Sequence, residues 1–197
     1  MESEKKLVAT FSVIFDNGGV DAAAAAQTDI DALGPPTLRF KLADDATIDE
    51  NDKMVVPAAG TAYTYWKHIC LLCDAADGHT INNVAIYSDG GSFNANVDVM
   101  IGAEHPERTS ASDAGYEVAN NANELVGEHG GITGSSSLFG YTAGEGTDFD
   151  ITISEAGNII NAANETCNYA VLQMNVASTA DPGDLANETG TFSYDEA

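Results

Sequence analysis

The chain has 197 residues, with 31 aspartate and glutamate residues against seven lysine and arginine residues, and a formal net charge of −24 at pH 7. This acidity argues against a protein that binds nucleic acid or an anionic membrane surface, because both need clustered basic side chains. Arg39, Arg108 and the five lysines form no patch in the sequence, and no apolar run reaches membrane-spanning length. The acids are scattered between apolar runs, so we expect a folded domain adapted to a salt-rich environment.

The first half of the chain predicts short β-strands. In residues 7–15 every odd position is apolar, which is the period of a half-buried strand and unlike a signal peptide. The Ala-rich stretch 21–33 is expected to form one short helix or a flexible connection, and a Gly-Pro-Pro sequence ends it. Residues 37–42 alternate as a strand. Residues 63–72 are the strongest strand candidate, since they are rich in aromatic and β-branched side chains.

The second half of the chain continues this pattern. Further strands are predicted over residues 81–87, 97–101, 149–153, 169–176 and 191–194. Residues 102–146 are rich in Gly, Ser and Asn and predict a long loop insertion with short strands at most. The pattern therefore predicts a single all-β domain over residues 1–197, an antiparallel β-sandwich or jelly roll. Residues 1–36 would supply its N-terminal strand and an Ala-rich arm.

One histidine and cysteine cluster has residue types that bind zinc: His68, Cys70, Cys73 and His79. However, positions 70 and 73 of a strand face opposite sides, and the second cysteine pair of a strong zinc signature is missing. Two small buried core residues are therefore the simpler interpretation. A disulfide bridge between Cys70 and Cys167 is the other alternative, since both lie on predicted strands.

An acidic loop offers oxygen ligands suited to Ca²⁺ or Mg²⁺, namely Asp44, Asp45, Asp49 and Asp52. It lacks the glycine at the sixth position and the terminal glutamate of a helix–loop–helix calcium site. In so acidic a chain, a solvated loop screened by salt cations is the competing interpretation.

Motifs for catalysis are missing from the sequence. There is no nucleophile-elbow, metalloprotease or phosphate-loop pattern, so we expect no enzymatic activity and no cofactor beyond the candidate cations. Two Asn-x-Thr sequons begin at Asn164 and Asn187, in predicted loops. They are candidate glycosylation sites if the protein is exposed to a glycosylating cell surface.

Two stretches carry a family resemblance. Residues 81–91 read I-N-N-V-A-I-Y-S-D-G-G and follow the aromatic strand that contains Tyr65-Trp66-Lys67. The chain ends with Y-A-V-L-Q-M-N-V-A at residues 169–177 and T-F-S-Y-D-E at residues 191–196. These stretches resemble structural proteins of tailed bacterial and archaeal viruses, in which such a strand–turn pattern and a C-terminal Y-D-E recur around a β-sandwich. The resemblance covers residues 63–102 and 151–197.

Together with the acidity, the resemblance implies a non-enzymatic virion protein of a tailed virus that infects a halophilic archaeon. It would be a capsid decoration or turret, or a tail-associated subunit. Its partners would be copies of itself, in a homo-oligomer, and the major capsid or tail proteins. The alternative is a carbohydrate- or Ca²⁺-binding sandwich module for host attachment. Exposure of Tyr63, Tyr65 and Trp66 would favour that module, whereas their burial would count against it.

Overall fold

The fold is taken from a computed structural model that describes residues 8–16, 27–29, 38–43, 53–104, 119, 121–125, 132–183 and 185–197. These residues form ten β-strands and one 3₁₀ turn. The strands are β1 Thr10–Asp16, β2 Gln27–Asp29, β3 Thr61–Tyr63, β4 Lys67–Ala75, β5 Ile81–Ser88, β6 Val97–Glu104, β7 Ile132–Ser137, β8 Phe149–Asp150, β9 Tyr169–Ala177 and β10 Gly190–Glu196. The 3₁₀ turn is Leu138–Gly140. Within the described residues no helix is long and apolar enough to cross a membrane.

The strands form two antiparallel sheets. The large sheet has the order β2-β1-β4-β9-β6-β7, and β3 pairs with β9 beside β4. The small sheet has the order β10-β5-β8. Side chains of β1, β4, β6 and β9 face those of β5 and β10 across the space between the sheets. The predicted all-β, antiparallel class is therefore confirmed, whereas the finer jelly-roll topology stays a prediction.

Strand β9 is the centre of the large sheet and is buried along almost its whole length. Leu172 and Met174 face the small sheet, so by strand alternation Val171 and Gln173 lie on the opposite face. We call this opposite side the outer face. Residues 121–125 cover part of it, because the Leu125 backbone N–H donates to Gln173. A strand buried on both sides explains why its sequence is nearly continuous in apolar residues.

The strongest predicted strand is divided in two. Residues 64–66 interrupt it between β3 and β4, although both strands lie along β9. The reason is a change of partner: the Tyr65 N–H donates to the Lys41 carbonyl at 3.1 Å, outside the sheet. Thr64 keeps contact with β9 through its N–H, which donates to the Met174 carbonyl, and through its hydroxyl, which accepts the Met174 N–H.

Two other predicted elements differ from the structure. Gln27–Asp29, within the Ala-rich stretch, is a strand paired with β1, so a helix through these residues is wrong. The strand predicted over residues 37–42 is also wrong in its described part, which holds only an isolated bridge between Lys41 and Lys53. In the described part of the 102–146 insertion the structure has a short strand, β7, which pairs with β6.

Candidate functional site

An open cleft of about 1140 Å³ lies between the two sheets. The large sheet supplies one wall of apolar side chains, among them Val13, Leu71, Val97, Val99, Leu172 and Met174. The opposite wall carries Ile86 of β5 with Phe192 and Tyr194 of β10. Small-molecule sites are likewise concave and mostly apolar, and this volume is slightly above their usual range of about 300–1,000 Å³. The cleft is therefore the principal candidate site among the described residues.

The mouth of the cleft lies between two loop segments. Lys53 and Val55 line it from one side and are exposed, Val55 to 61%. Asp181, Pro182 and Asn187 line it from the other side and are exposed as well. The apolar interior is thus reached from solvent between residues 53–56 and the segment that precedes β10.

Two hydrogen bonds fix segment 38–43 against the large sheet. Besides the bond from Tyr65 to the Lys41 carbonyl, the Lys67 ammonium donates to the Ala43 carbonyl at 3.0 Å. Lys67 is fully buried, and its ammonium also lies 5.0 Å from the centre of the Phe15 ring. A cation over an aromatic face is stabilised by the ring quadrupole, which helps to offset the burial of the charge. The segment's position at the cleft is therefore set by the sheet itself.

Basic side chains are concentrated in this cleft. Of the chain's seven basic residues, three line it: Arg39, Lys41 and Lys53. Lys41 is only 3% exposed, and the Arg39 Nε is buried without a hydrogen-bond partner. These three residues therefore lie along one cleft. The backbone bridge places Lys41 and Lys53 directly opposite one another, a pairing that sequence distance hides.

The described acidic side chains, unlike two of the basic ones, stay at the surface. Among the residues whose burial the structure describes, no aspartate or glutamate is buried, whereas Lys41 and Lys67 are. Two acids, Asp181 and Glu188, are among the described residues that line the cleft. Asp181 is exposed, and the Glu188 carboxylate packs over Gly91, where no Cβ would fit. The described part of the cleft lining is therefore less acidic than the chain as a whole.

A buried polar network on the outer face ties the insertion to the sheet. Gln173 is fully buried, and its Oε1 accepts the Leu125 N–H at 2.7 Å. Its amide nitrogen donates to the carbonyls of Thr64 at 3.1 Å and Asn123 at 3.0 Å. The Asn175 amide also donates to the Glu124 carboxylate at 2.7 Å. One side chain thus bonds three backbone groups, and two of them, at Leu125 and Thr64, would otherwise be buried without a partner.

The predicted zinc ligands are not gathered at one point. Cys70 pairs with Ile14 and Cys73 with Phe11 in the β1–β4 ladder, so the two cysteines face opposite sides of the sheet. The His79 Nδ1 lies 3.1 Å from a Glu196 carboxylate oxygen. The described residues contain no group of three or more metal-binding side chains. Zinc binding stays a prediction without a geometric counterpart here.

All three cysteines are free and buried. Burial raises the pKa of Cys70 well above its usual value, with a further increase from the nearby Cys167. Burial also raises the pKa of Cys167 to about 12, although its sulfur accepts the Leu71 N–H. Burial, followed by the charges of Asp74 and Glu165, raises the pKa of Cys73. Thiolates are therefore disfavoured, which suits core residues rather than nucleophiles. The Cys70–Cys167 bridge is not formed in this structure.

The other predicted sites are placed as follows. Asp44, Asp45, Asp49 and Asp52 lie outside the described residues, so their cation site stays a prediction. Asn164 and Asn187 are both exposed, and glycosylation at either residue also stays a prediction. Of the aromatic residues, Trp66 is fully buried, while Tyr63 and Tyr65 are half-buried. The burial of Trp66 counts against a carbohydrate platform at this strand.

Sequence reasoning missed the two groups that this structure makes prominent. Arg39 and Lys41 alternate with Leu38 and Phe40, a pattern that marks a segment lying between apolar and charged surroundings. Gln173 is a lone amide inside a run of apolar residues, which is a signal for a buried hydrogen-bonded group. Comparison of the chain with known protein families, with curated proteins and with solved structures found no match in any of the three.

Proposed function

We propose that the protein is a non-enzymatic structural subunit of the virion of a tailed virus with a halophilic archaeal host. It would occupy a capsid decoration, turret or tail-associated position and contact copies of itself and the major capsid or tail proteins. The resemblance of residues 63–102 and 151–197 to such proteins supports this proposal, as does the acidic surface. The observation that carries it is the free edge of the small sheet.

That edge belongs to β10, which ends the strand order and has no partner on its outer side among the described residues. The Asp89 N–H donates to the Thr189 carbonyl, and Ser88 bonds instead to Tyr141. Because antiparallel strands bond at alternate residues, the Thr191 and Ser193 backbone groups face β5. The Gly190 and Phe192 amides consequently face outward. A free edge of this length is a template for a strand from another subunit.

Because the subunits are strongly acidic, assembly through this edge should depend on the salt concentration. At low ionic strength subunits of net charge −24 repel one another, whereas molar salt screens charges beyond a few ångströms. Contacts along β10 would then hold an assembly together, and repetition of weak contacts strengthens it.

The test is the molar mass of the protein by light scattering, stepped from molar salt to low salt. We expect a closed oligomer in molar salt that dissociates on dilution of the salt. The variant Gly190→Pro removes one outward amide at the first residue of β10, where proline is tolerated. It should keep the fold and raise the dissociation constant about tenfold, since a lost backbone hydrogen bond costs roughly 1 kcal/mol.

The matched variant Thr191→Pro removes an amide that faces β5, so it should lower the free energy of unfolding instead. A monomer at every salt concentration would contradict the proposal. So would an oligomer that is unchanged by Gly190→Pro, because the contact would then lie away from β10.

A further inference from the structure

We propose that the cleft between the sheets binds a monomeric, single-chain amphipathic anion, with its apolar tail between the sheets and its anionic head at Arg39, Lys41 and Lys53. This site goes beyond the structural role proposed above and does not depend on it. The class of ligand follows from the shape of the cleft, from its charge and from the surface around it.

The apolar walls of the cleft indicate the apolar tail of the ligand. Aliphatic side chains of the large sheet face Ile86 and Phe192 across the cleft, and Tyr194 carries the one hydroxyl that the described strands add to the lining. Apolar surface of this kind gains free energy when an apolar group replaces water. Phe93 and Phe139, whose ring centres are 5.3 Å apart, add an aromatic edge to the same lining. A hydrocarbon chain is the simplest group that covers such a surface.

The head is specified by the basic residues. In a chain with 31 acids and seven basic residues, the described lining holds three basic residues and two acids. The basic residues differ in exposure: Lys53 is exposed, Arg39 is half-buried and Lys41 is buried. Lys41 and Lys53 are cross-strand neighbours, so their side chains lie on the same side of the bridge. Arg39 lines the cleft, and its guanidinium group carries N–H donors for an anion.

A membrane surface is the wrong source of this anion. The net charge of −24 repels an anionic bilayer, whereas a single soluble molecule carries its charge into the basic part of the cleft. Because a bilayer is repelled, we commit to a free carboxylate or sulfate amphiphile. The acidic residues 44–52, which join Lys41 to Lys53 along the chain, lie outside the described residues.

The experiment titrates the full chain with dodecanoate by isothermal calorimetry, with its neutral equivalent dodecan-1-ol as the comparison. We expect one saturable site per chain and about tenfold weaker binding of the alcohol, because a charge-assisted hydrogen bond is lost. Arg39→Gln and Lys53→Gln should each weaken dodecanoate binding about tenfold for the same reason. Flotation with phosphatidylglycerol vesicles should show no protein bound.

Two further variants separate the cleft from the general charge. Val56→Trp narrows the cleft at a half-buried loop position and should abolish binding while circular dichroism stays unchanged. Ala163→Glu changes the net charge as much as Lys53→Gln does, but on an exposed turn away from the lining, and should leave the affinity unchanged.

Several results would overturn the proposal. They are the lack of saturable binding, equal affinity for the alcohol, binding that survives Val56→Trp, and retention of the protein by the vesicles. None of these results bears on assembly through β10. The two proposals can therefore fail separately.

Discussion

Replacement of Gln173 by leucine is expected to lower the free energy of unfolding by about 3 kcal/mol, because buried backbone groups lose their partners. Leucine keeps the side-chain volume but leaves the Leu125 N–H and the Thr64 carbonyl without the amide that bonds them. Each buried group left unsatisfied costs roughly 1–3 kcal/mol. Asn123 is exposed, so water can replace the hydrogen bond that its carbonyl accepts from Gln173.

The measurement is chemical denaturation of both proteins at one fixed molar salt concentration. Asn175→Ala is the matched control, since it lies on the same strand and face but loses one bond, to Glu124. The control should cost about 1 kcal/mol. If Gln173→Leu stays within that value as well, residues 121–125 do not depend on this network, and our description of the outer face is wrong.

Replacement of Trp66 by alanine is expected to cost about 3–5 kcal/mol, the range for loss of a large buried aromatic side chain. Trp66 has no exposed surface and packs edge-on to His68, with ring centres 6.3 Å apart. His68 in turn packs against Tyr169 with ring centres 5.6 Å apart. Removal of the indole therefore opens a cavity beside the central strand, which close-packed neighbours fill only in part.

This loss is a large share of the 5–15 kcal/mol that typically separates folded from unfolded domains. Trp66→Phe, which retains one ring, should cost less than half as much by denaturation under the same conditions. A loss below about 1 kcal/mol for Trp66→Ala would show that the indole is not packed as described.

Strands with a strong apolar pattern were predictable from the sequence. Strands β1, β5, β6 and β9 lie within three residues of the predicted ranges, because β1, β5 and β6 follow a period of two and β9 is a nearly continuous apolar run. β7 was not predictable as a strand, since its sequence I-T-G-S-S-S has turn composition and its pairing with β6 is supplied by the fold. At β7, pairing with the edge of the sheet outweighs the low strand propensity of the sequence.

The candidate site lies beyond sequence reasoning for a different reason. Arg39 and Lys53 belong to separate loop segments, and only the backbone bridge and the hydrogen bonds from Tyr65 and Lys67 bring them to one cleft. The cleft itself exists because two sheets face one another without closing the space between them. Both are consequences of contacts between distant residues, which periodicity and composition do not encode. The predicted chemistry at Cys70 and Cys73, by contrast, already conflicted with the strand period.

Hydrogen exchange of the β10 amides, followed by NMR in molar salt at increasing protein concentration, tests the assembly proposal most directly. The account predicts that the outward Gly190 and Phe192 amides exchange rapidly when the protein is dilute and become protected as it assembles. The Thr191 and Ser193 amides, which face β5, should be protected at every concentration and serve as the internal control. Outward amides that exchange rapidly at all concentrations, while the protein oligomerises, would contradict assembly through the free edge.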